Sequence, residues 1–171
     1  PLVNILKQPL VLIVRKDFPA NTFNEYVAYA RAHPGQVSSS FLSPNIIQPY
    51  VNKIEEINKY TTNQIEYYSG RPEIDVVKGV VDSNWAASLT IIGTGLESQV
   101  KILAISSPQK IKDLDSHVVY GDSPKFGPSF FIRQTILVSN KMDKDTQEKL
   151  NARFNSILLS SWGQETFAKY S

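Results

Sequence analysis

The sequence predicts an α/β fold, a mostly parallel sheet flanked by helices, and three observations carry that expectation. Leu10-Val11-Leu12-Ile13-Val14 is apolar without interruption, the pattern of a strand buried on both faces, as in a parallel sheet. Thr22-Phe23-Asn24-Glu25 has the spacing of a capping box and opens a helix. Strand-like and helix-like segments then alternate along the 171 residues, the order expected of strands joined by crossover helices.

The elements follow in order. Val3–Leu6 and Pro9–Val14 are rich in β-branched and aliphatic residues, and Pro9 suits the first position of a strand. Arg15–Asn21 is a polar turn around Pro19. In the first helix Phe23, Tyr26, Val27 and Ala30 share one face, and His33-Pro34-Gly35 stops it. Gln36–Ser39 reads as the next strand, leading into the serine-rich turn Ser38–Pro44. Tyr50, Val51, Ile54 and Ile57 recur at helical spacing. Ser43 as N-cap with Pro44 at the first helical position is good chemistry for that helix's start, yet it places Pro49 inside, where a kink is expected.

Further on, Gln64–Tyr67 reads as a strand and Ser69-Gly70-Arg71-Pro72 as a turn into a short helix reaching Lys78. Val80-Val81 and Val100–Ser106 are expected strands, with Thr90–Gln99 irregular and Lys110–Lys125 a turn-rich surface. Phe130–Val138 is β-prone. Asp143 can cap a helix carrying Leu150, Phe154, Ile157 and Leu158 on one face, and Trp162–Tyr170 is a short amphipathic tail.

Composition removes several function classes. Eighteen Lys and Arg against sixteen Asp and Glu is too even for a nucleic-acid surface. With no Cys there is no disulfide framework and no thiolate metal or redox site. The two histidines, His33 and His117, have no metal-type spacing. No apolar run approaches the roughly 18 residues of a membrane span. No phosphate loop, dinucleotide glycine motif or nucleophile elbow occurs. Neither catalysis nor a cofactor nor a metal is therefore expected.

Two clusters read as a binding site. Ser38, Ser39, Ser40, Ser43 and Asn45 supply hydroxyls and an amide at a strand-to-helix turn, where backbone N–H groups suit a carboxylate or phosphate. The competing reading is that these serines only cap the helix and fill the turn. Tyr68, Ser69 and Gly70, with Tyr67 and Arg71, form a second such turn. There Tyr offers a hydroxyl on a rigid body, Gly allows close approach, and Arg71 either meets an anion or stands exposed on the helix's first turn.

The order of segments resembles a known family. Pro9–Val14, then Phe18-Pro19-Ala20-Asn21-Thr22, then Tyr26–Gly35 are similar to the opening strand, turn and helix of the tripartite tricarboxylate transporter substrate-binding receptors, the Bug or TctC-like proteins. Tyr68 and Gly70 after a strand, Val76–Asp82, Val100–Ser107, and Phe130–Ser139 with the helix from Asp143 continue the resemblance in register over nearly the whole chain. It implies a periplasmic binding protein of the type II kind, two α/β lobes joined by crossing strands and closing over a small organic carboxylate for delivery to membrane transporter subunits. It also implies that the two serine and tyrosine turns face the ligand, and that Asp82 through Ala86, Trp85 among them, follow the strand lining the cleft floor.

On this reading residues 9–128 are the ligand-facing second lobe, and 1–8 with 129–171 are crossing strands and C-terminal helices of an incomplete first lobe. The family's first third is not in this sequence, which is therefore either cut from a longer chain or a reduced form, and the incomplete lobe is expected to favour dimerisation. The family carries several glycines where Ser38–Pro44 has none. That departure leaves the ligand open, and makes a sensing or partner-binding periplasmic module the alternative to a transport receptor.

Overall fold

The protein is described by a computed structural model covering residues 1–110, 118–124 and 126–168. The chain divides into two compact units: Pro9–Phe131, and Pro1–Gln8 together with the chain from Ile132.

The larger unit is built on the part of β1 (Val3–Arg15) from Pro9 onward and on β2 (Ser38–Leu42), β3 (Asn63–Tyr67), β4 (Ser83–Ala87), β5 (Val100–Ile105) and β6 (Val119–Tyr120). Their order across the sheet is β3-β2-β4-β1-β5-β6. β2 runs parallel to β3 and β4, and β5 parallel to β6. β1 runs against both its neighbours, β4 and β5. The sheet is thus mostly parallel, as the sequence predicts, but the strand whose apolar run suggested it is the antiparallel one. Leu10 through Val14 are all fully buried because β1 occupies the middle of the sheet with cover on both faces. A continuous apolar run reports burial, not strand direction. Each of these side chains contributes about 2 kcal/mol by leaving water.

Two layers cover the sheet. On one face lie helices α1 (Phe23–Ala32) and α2 (Pro44–Asn58). Phe23 meets Phe126 edge-on at 5.0 Å, and Tyr50 meets Trp85 at 5.6 Å. The other face carries helix α3 (Pro72–Val77), whose Val76 joins Val11, Ile13, Ala86, Ile91 and Ile102 in one buried cluster. Alternation along β4 separates the layers, with Trp85 toward α2 and Ala86 toward α3.

The helix signals act as the sequence specifies. Thr22 Oγ1 accepts the Glu25 amide at 3.2 Å, while the Glu25 carboxylate takes the Asn21 amide at 2.7 Å, one residue before the usual partner. His33 closes α1 with its amide on the Tyr29 carbonyl at 3.0 Å, and Gly35 follows at φ 70°. Helix α2 starts at Pro44 and continues through Pro49.

Two strand positions differ from expectation. β2 covers Ser38–Leu42 instead of Gln36–Ser39, so the serine cluster is largely strand rather than turn. The fourth strand is Ser83–Ala87, not Val80-Val81; Gly79 turns the chain at φ 73° and Val80 is 66% exposed. Ser-Asn-Trp-Ala-Ala has weak intrinsic β preference, and its central slot between β2 and β1 overrides that. Within 110–125, residues 111–117 and 125 lie outside the described residues, His117 among them.

In the smaller unit, β7 (Phe131–Ile136) pairs with the early part of β1, and the Leu2 amide donates to the Ile136 carbonyl at 2.8 Å. Asp143 caps α4 (Lys144–Leu158), accepting the Thr146 amide at 2.8 Å, and α5 (Ser161–Ala168) follows. The face carrying Leu150, Phe154, Ile157 and Leu158 contains no fully buried residue. Leu137, Leu159 and Trp162 also stand well exposed.

Candidate functional site

Strand direction sorts the expected site residues. The parallel strands β2, β3, β4, β5 and β6 all end at one edge of the larger unit's sheet, the place where open α/β sheets hold their ligands. At that carboxyl edge the structure gathers Ser43 and Asn45 at the start of α2 with Tyr68, Ser69 and Gly70 after β3. The Ser43 amide donates to the Tyr67 carbonyl at 3.0 Å, tying the two turns together. All five residues are exposed, Tyr68 by 77%.

Ser43 sits at the N-cap position without capping. Its backbone is left-handed, φ 59° and ψ 66°, and its side chain makes no cap hydrogen bond, because a capping serine needs extended dihedrals to aim its hydroxyl at the next amides. A non-glycine residue held there stores about 1–3 kcal/mol. The Ser43 carbonyl takes the Ile46 and Ile47 amides at 3.0 and 3.2 Å, and Pro44 has no N–H. The Asn45 amide is therefore the first-turn donor left unspent among the described residues.

The second turn is fixed by its own polar side chains. Tyr68 donates its hydroxyl to Glu66 Oε2 at 2.8 Å, and Gln48 holds Glu66 Oε1 at 2.9 Å. That bond to a carboxylate pushes the Tyr68 phenol above its ordinary range. Gly70 takes φ 92°, which a side chain would resist. Arg71 is committed to the buried Glu73, Nε to Oε1 at 2.8 Å.

The remaining expected residues lie elsewhere. Ser38 and Asp82 sit at the opposite, amino edge. Asp82 Oδ2 accepts the Ser38 amide and hydroxyl at 2.9 and 2.8 Å, and Oδ1 accepts Arg15 Nε at 3.0 Å. Burial alone would raise the Asp82 carboxyl, but the Ser38 amide, Arg15 and the Ser38 hydroxyl outweigh it and hold it below the ordinary carboxylate range. Ser39 and Ser40 are fully buried mid-strand. The Ser40 hydroxyl donates to the Ser83 carbonyl at 3.1 Å, and Asn84 Nδ2 reaches the Ser40 carbonyl at 2.9 Å. These bonds stitch β2 to β4, so the serine run serves the sheet over most of its length. Trp85 is 1% exposed, its ring between those of Tyr50 and Phe126.

The carboxyl edge also holds residues that the sequence did not single out. Ser106 and Ser107 follow β5, and Ser106 Oγ accepts the Leu10 amide at 2.8 Å. Gly121 follows β6 and gives its amide to the Ile105 and Ser107 carbonyls at 2.8 and 2.9 Å. For Ser106 a hydroxyl directly after the strand Val100–Ile105 was the available signal. Among the described residues no three His, Asp or Glu side chains come together to hold a metal. His33 stacks on Tyr29 at 4.3 Å, in keeping with a helix-end role.

Comparison with known proteins gives the same architecture a family. The R. palustris protein Rpa4515, solved with adipate, superposes with a TM-score of 0.86 at 15% identity, over 98% of this chain and 56% of its own. MatC (Rpa3494) from Rhodopseudomonas palustris, with bound malate, gives 0.79 at 17% identity, over 98% and 58%. The periplasmic binding protein BugD gives 0.76 at 18% identity, over 99% and 57%. The chain thus spans less than three fifths of each of these relatives, and identities this low establish the fold. No curated protein matches the sequence. The sequence model of the tripartite tricarboxylate transporter family receptors, TctC, matches residues 1–118, well over half of the chain. The chain belongs to the tripartite tricarboxylate transporter receptor family.

Proposed function

We propose that this chain is part of an extracytoplasmic, periplasmic receptor that captures a small organic carboxylate and presents it to the membrane subunits of a tripartite tricarboxylate-type transporter, with no chemical step. The observation that carries this reading is the carboxyl edge itself. Ser43 and Ser69 supply hydroxyls, Asn45 an amide side chain and Gly70 backbone in one exposed place, with the Tyr68 ring beside them, the donor set that suits a carboxylate in a family of transport receptors. The malate and adipate of two structural relatives fit that chemistry. The strained Ser43 backbone supports a functional role for the turn. No helix among the described residues is long and apolar enough to cross a membrane.

The test is amide chemical-shift mapping of the 171-residue protein with malate, adipate, citrate and succinate. Saturable shifts at Asn45, Ile46, Tyr68, Ser69 and Gly70 with at least one acid are expected. Turnover of any of them would overturn the non-catalytic reading, and saturable shifts confined to other regions would overturn the site.

A further inference from the structure

A cavity of about 490 Å³ opens on the larger unit at the end away from the carboxyl edge, where α1 and α2 both finish. Its most buried lining groups are Ala30, the Tyr60 ring and Glu55, the last 8% exposed. Arg31 and Lys59 line it as well. Its charges are unequally committed. Arg31 is spent on the last carbonyls of α2, Nε reaching Asn58 and Lys59 oxygens at 3.0 and 3.2 Å. Glu56 pairs with Lys53 at 2.9 Å. Glu55 Oε1 accepts the Thr62 hydroxyl, but Glu55 makes no ion pair among the described residues. Neither does Lys59.

A buried carboxylate without a cation is costly, and burial accordingly raises the Glu55 carboxyl above its ordinary range despite the Thr62 bond. Two helix C-termini converge beside it; Arg31 answers the last carbonyls of α2, and the partial negative charge at the end of α1 adds to the demand for a cation. The volume falls in the range of small-ligand sites. We propose that this cavity binds a small zwitterion of the ω-amino acid type, its ammonium on the Glu55 carboxylate, its methylene chain along the Tyr60 ring and its carboxylate toward Lys59. This site is separate from the carboxyl edge and holds or fails independently of the receptor reading.

The experiment titrates the folded protein with γ-aminobutyrate, n-butylamine and butyrate while amide shifts are followed. The proposal expects saturable shifts at Arg31, Glu55, Lys59, Tyr60 and Thr61 with γ-aminobutyrate, weaker ones with n-butylamine and none with butyrate. Glu55→Gln should weaken γ-aminobutyrate roughly tenfold or more, the loss of about 1.4 kcal/mol. Lys59→Gln, an exposed change that leaves the fold intact, should reduce γ-aminobutyrate to the level of n-butylamine. No saturable shift by about 50 mM, a regime of millimolar-or-weaker affinity, would overturn the site. So would unchanged binding by Glu55→Gln or butyrate binding as tight as γ-aminobutyrate. Equal binding of γ-aminobutyrate by the Lys59→Gln and unmodified proteins would overturn the zwitterion.

Discussion

Ser38 and Asp82, 44 residues apart, clasp each other from both sides. The Ser38 amide and hydroxyl both meet Asp82 Oδ2, at 2.9 and 2.8 Å, and the Asp82 amide returns a bond to Ser38 Oγ at 2.8 Å. With Arg15 on the other carboxylate oxygen, this locks the amino ends of β2 and β4 to the end of β1. A pair suggested by the sequence as ligand contacts thus serves as a strap across the sheet.

That strap makes a pH prediction. Asp82 titrates lower in the folded protein than in the unfolded chain, so its stabilisation is present above the ordinary carboxylate pKa, about 3.9, and is lost as pH falls through the depressed folded value. Asp82→Asn should cost about 1–3 kcal/mol at pH 7, with the deficit shrinking toward pH 3. Urea unfolding at the two pH values reads this, and an equal deficit at both would contradict it.

Glu55 runs the opposite way. Its folded-state carboxyl is raised by burial, so the folded protein holds that proton more tightly than the unfolded chain. Its contribution is fully present below the ordinary glutamate value, about 4.3, and is lost as pH rises through the raised one. Glu55→Gln should therefore be no less stable than the unmodified protein at pH 7 and should flatten the stability profile above pH 4.3. A variant clearly less stable at pH 7 would mean that the charged form is better solvated than this burial implies.

Gly121 is required by space. A Cβ there would stand 2.9 Å from the Ser106 carbonyl carbon and 3.0 Å from Ser129 Cα, both backbone atoms. Gly121→Ala should lower stability by about 1–3 kcal/mol, measured as a shifted denaturant midpoint with unchanged slope. A neutral result would show that the loop after β6 yields easily.

Ser43 separates stability from binding. Glycine accepts φ 59° freely, so Ser43→Gly should stabilise the fold by about 1 kcal/mol. Removing the hydroxyl should weaken carboxylate binding at the same time. Thermal unfolding with a ligand titration checks both, and a variant that loses stability and keeps its ligand would reverse the assignment.

The sequence made the framework legible wherever one local rule decided the outcome. Thr22 and Asp143 cap their helices as expected, and Leu10–Val14 is buried as its apolar run demands. It was misleading where tertiary context chose between equal local options. Serine satisfies a turn, a helix cap or a buried ladder alike, and only the pairing of Ser39 and Ser40 with Ser83 and Asn84 decides for the ladder. The direction of β1 and the low-propensity strand Ser83–Ala87 depend on neighbours distant in sequence. Of the candidate ligand residues, those directly after strand ends (Ser43, Asn45, Tyr68, Ser69 and Gly70) stay together. Ser38 and Asp82 belong to the other edge, and Ser39, Ser40 and Trp85 to the interior.

The most direct measurement of the central claim is a calorimetric comparison of variants against whichever carboxylate the protein binds best. Asn45→Ala and Tyr68→Ala, both at exposed positions of the carboxyl edge, should each weaken binding roughly tenfold, about 1.4 kcal/mol. Ser38→Ala, at the amino edge, should leave affinity within about twofold, under 0.5 kcal/mol, while lowering stability. Loss of binding in Ser38→Ala with full binding by Asn45→Ala and Tyr68→Ala would place the ligand away from the carboxyl edge and contradict the account.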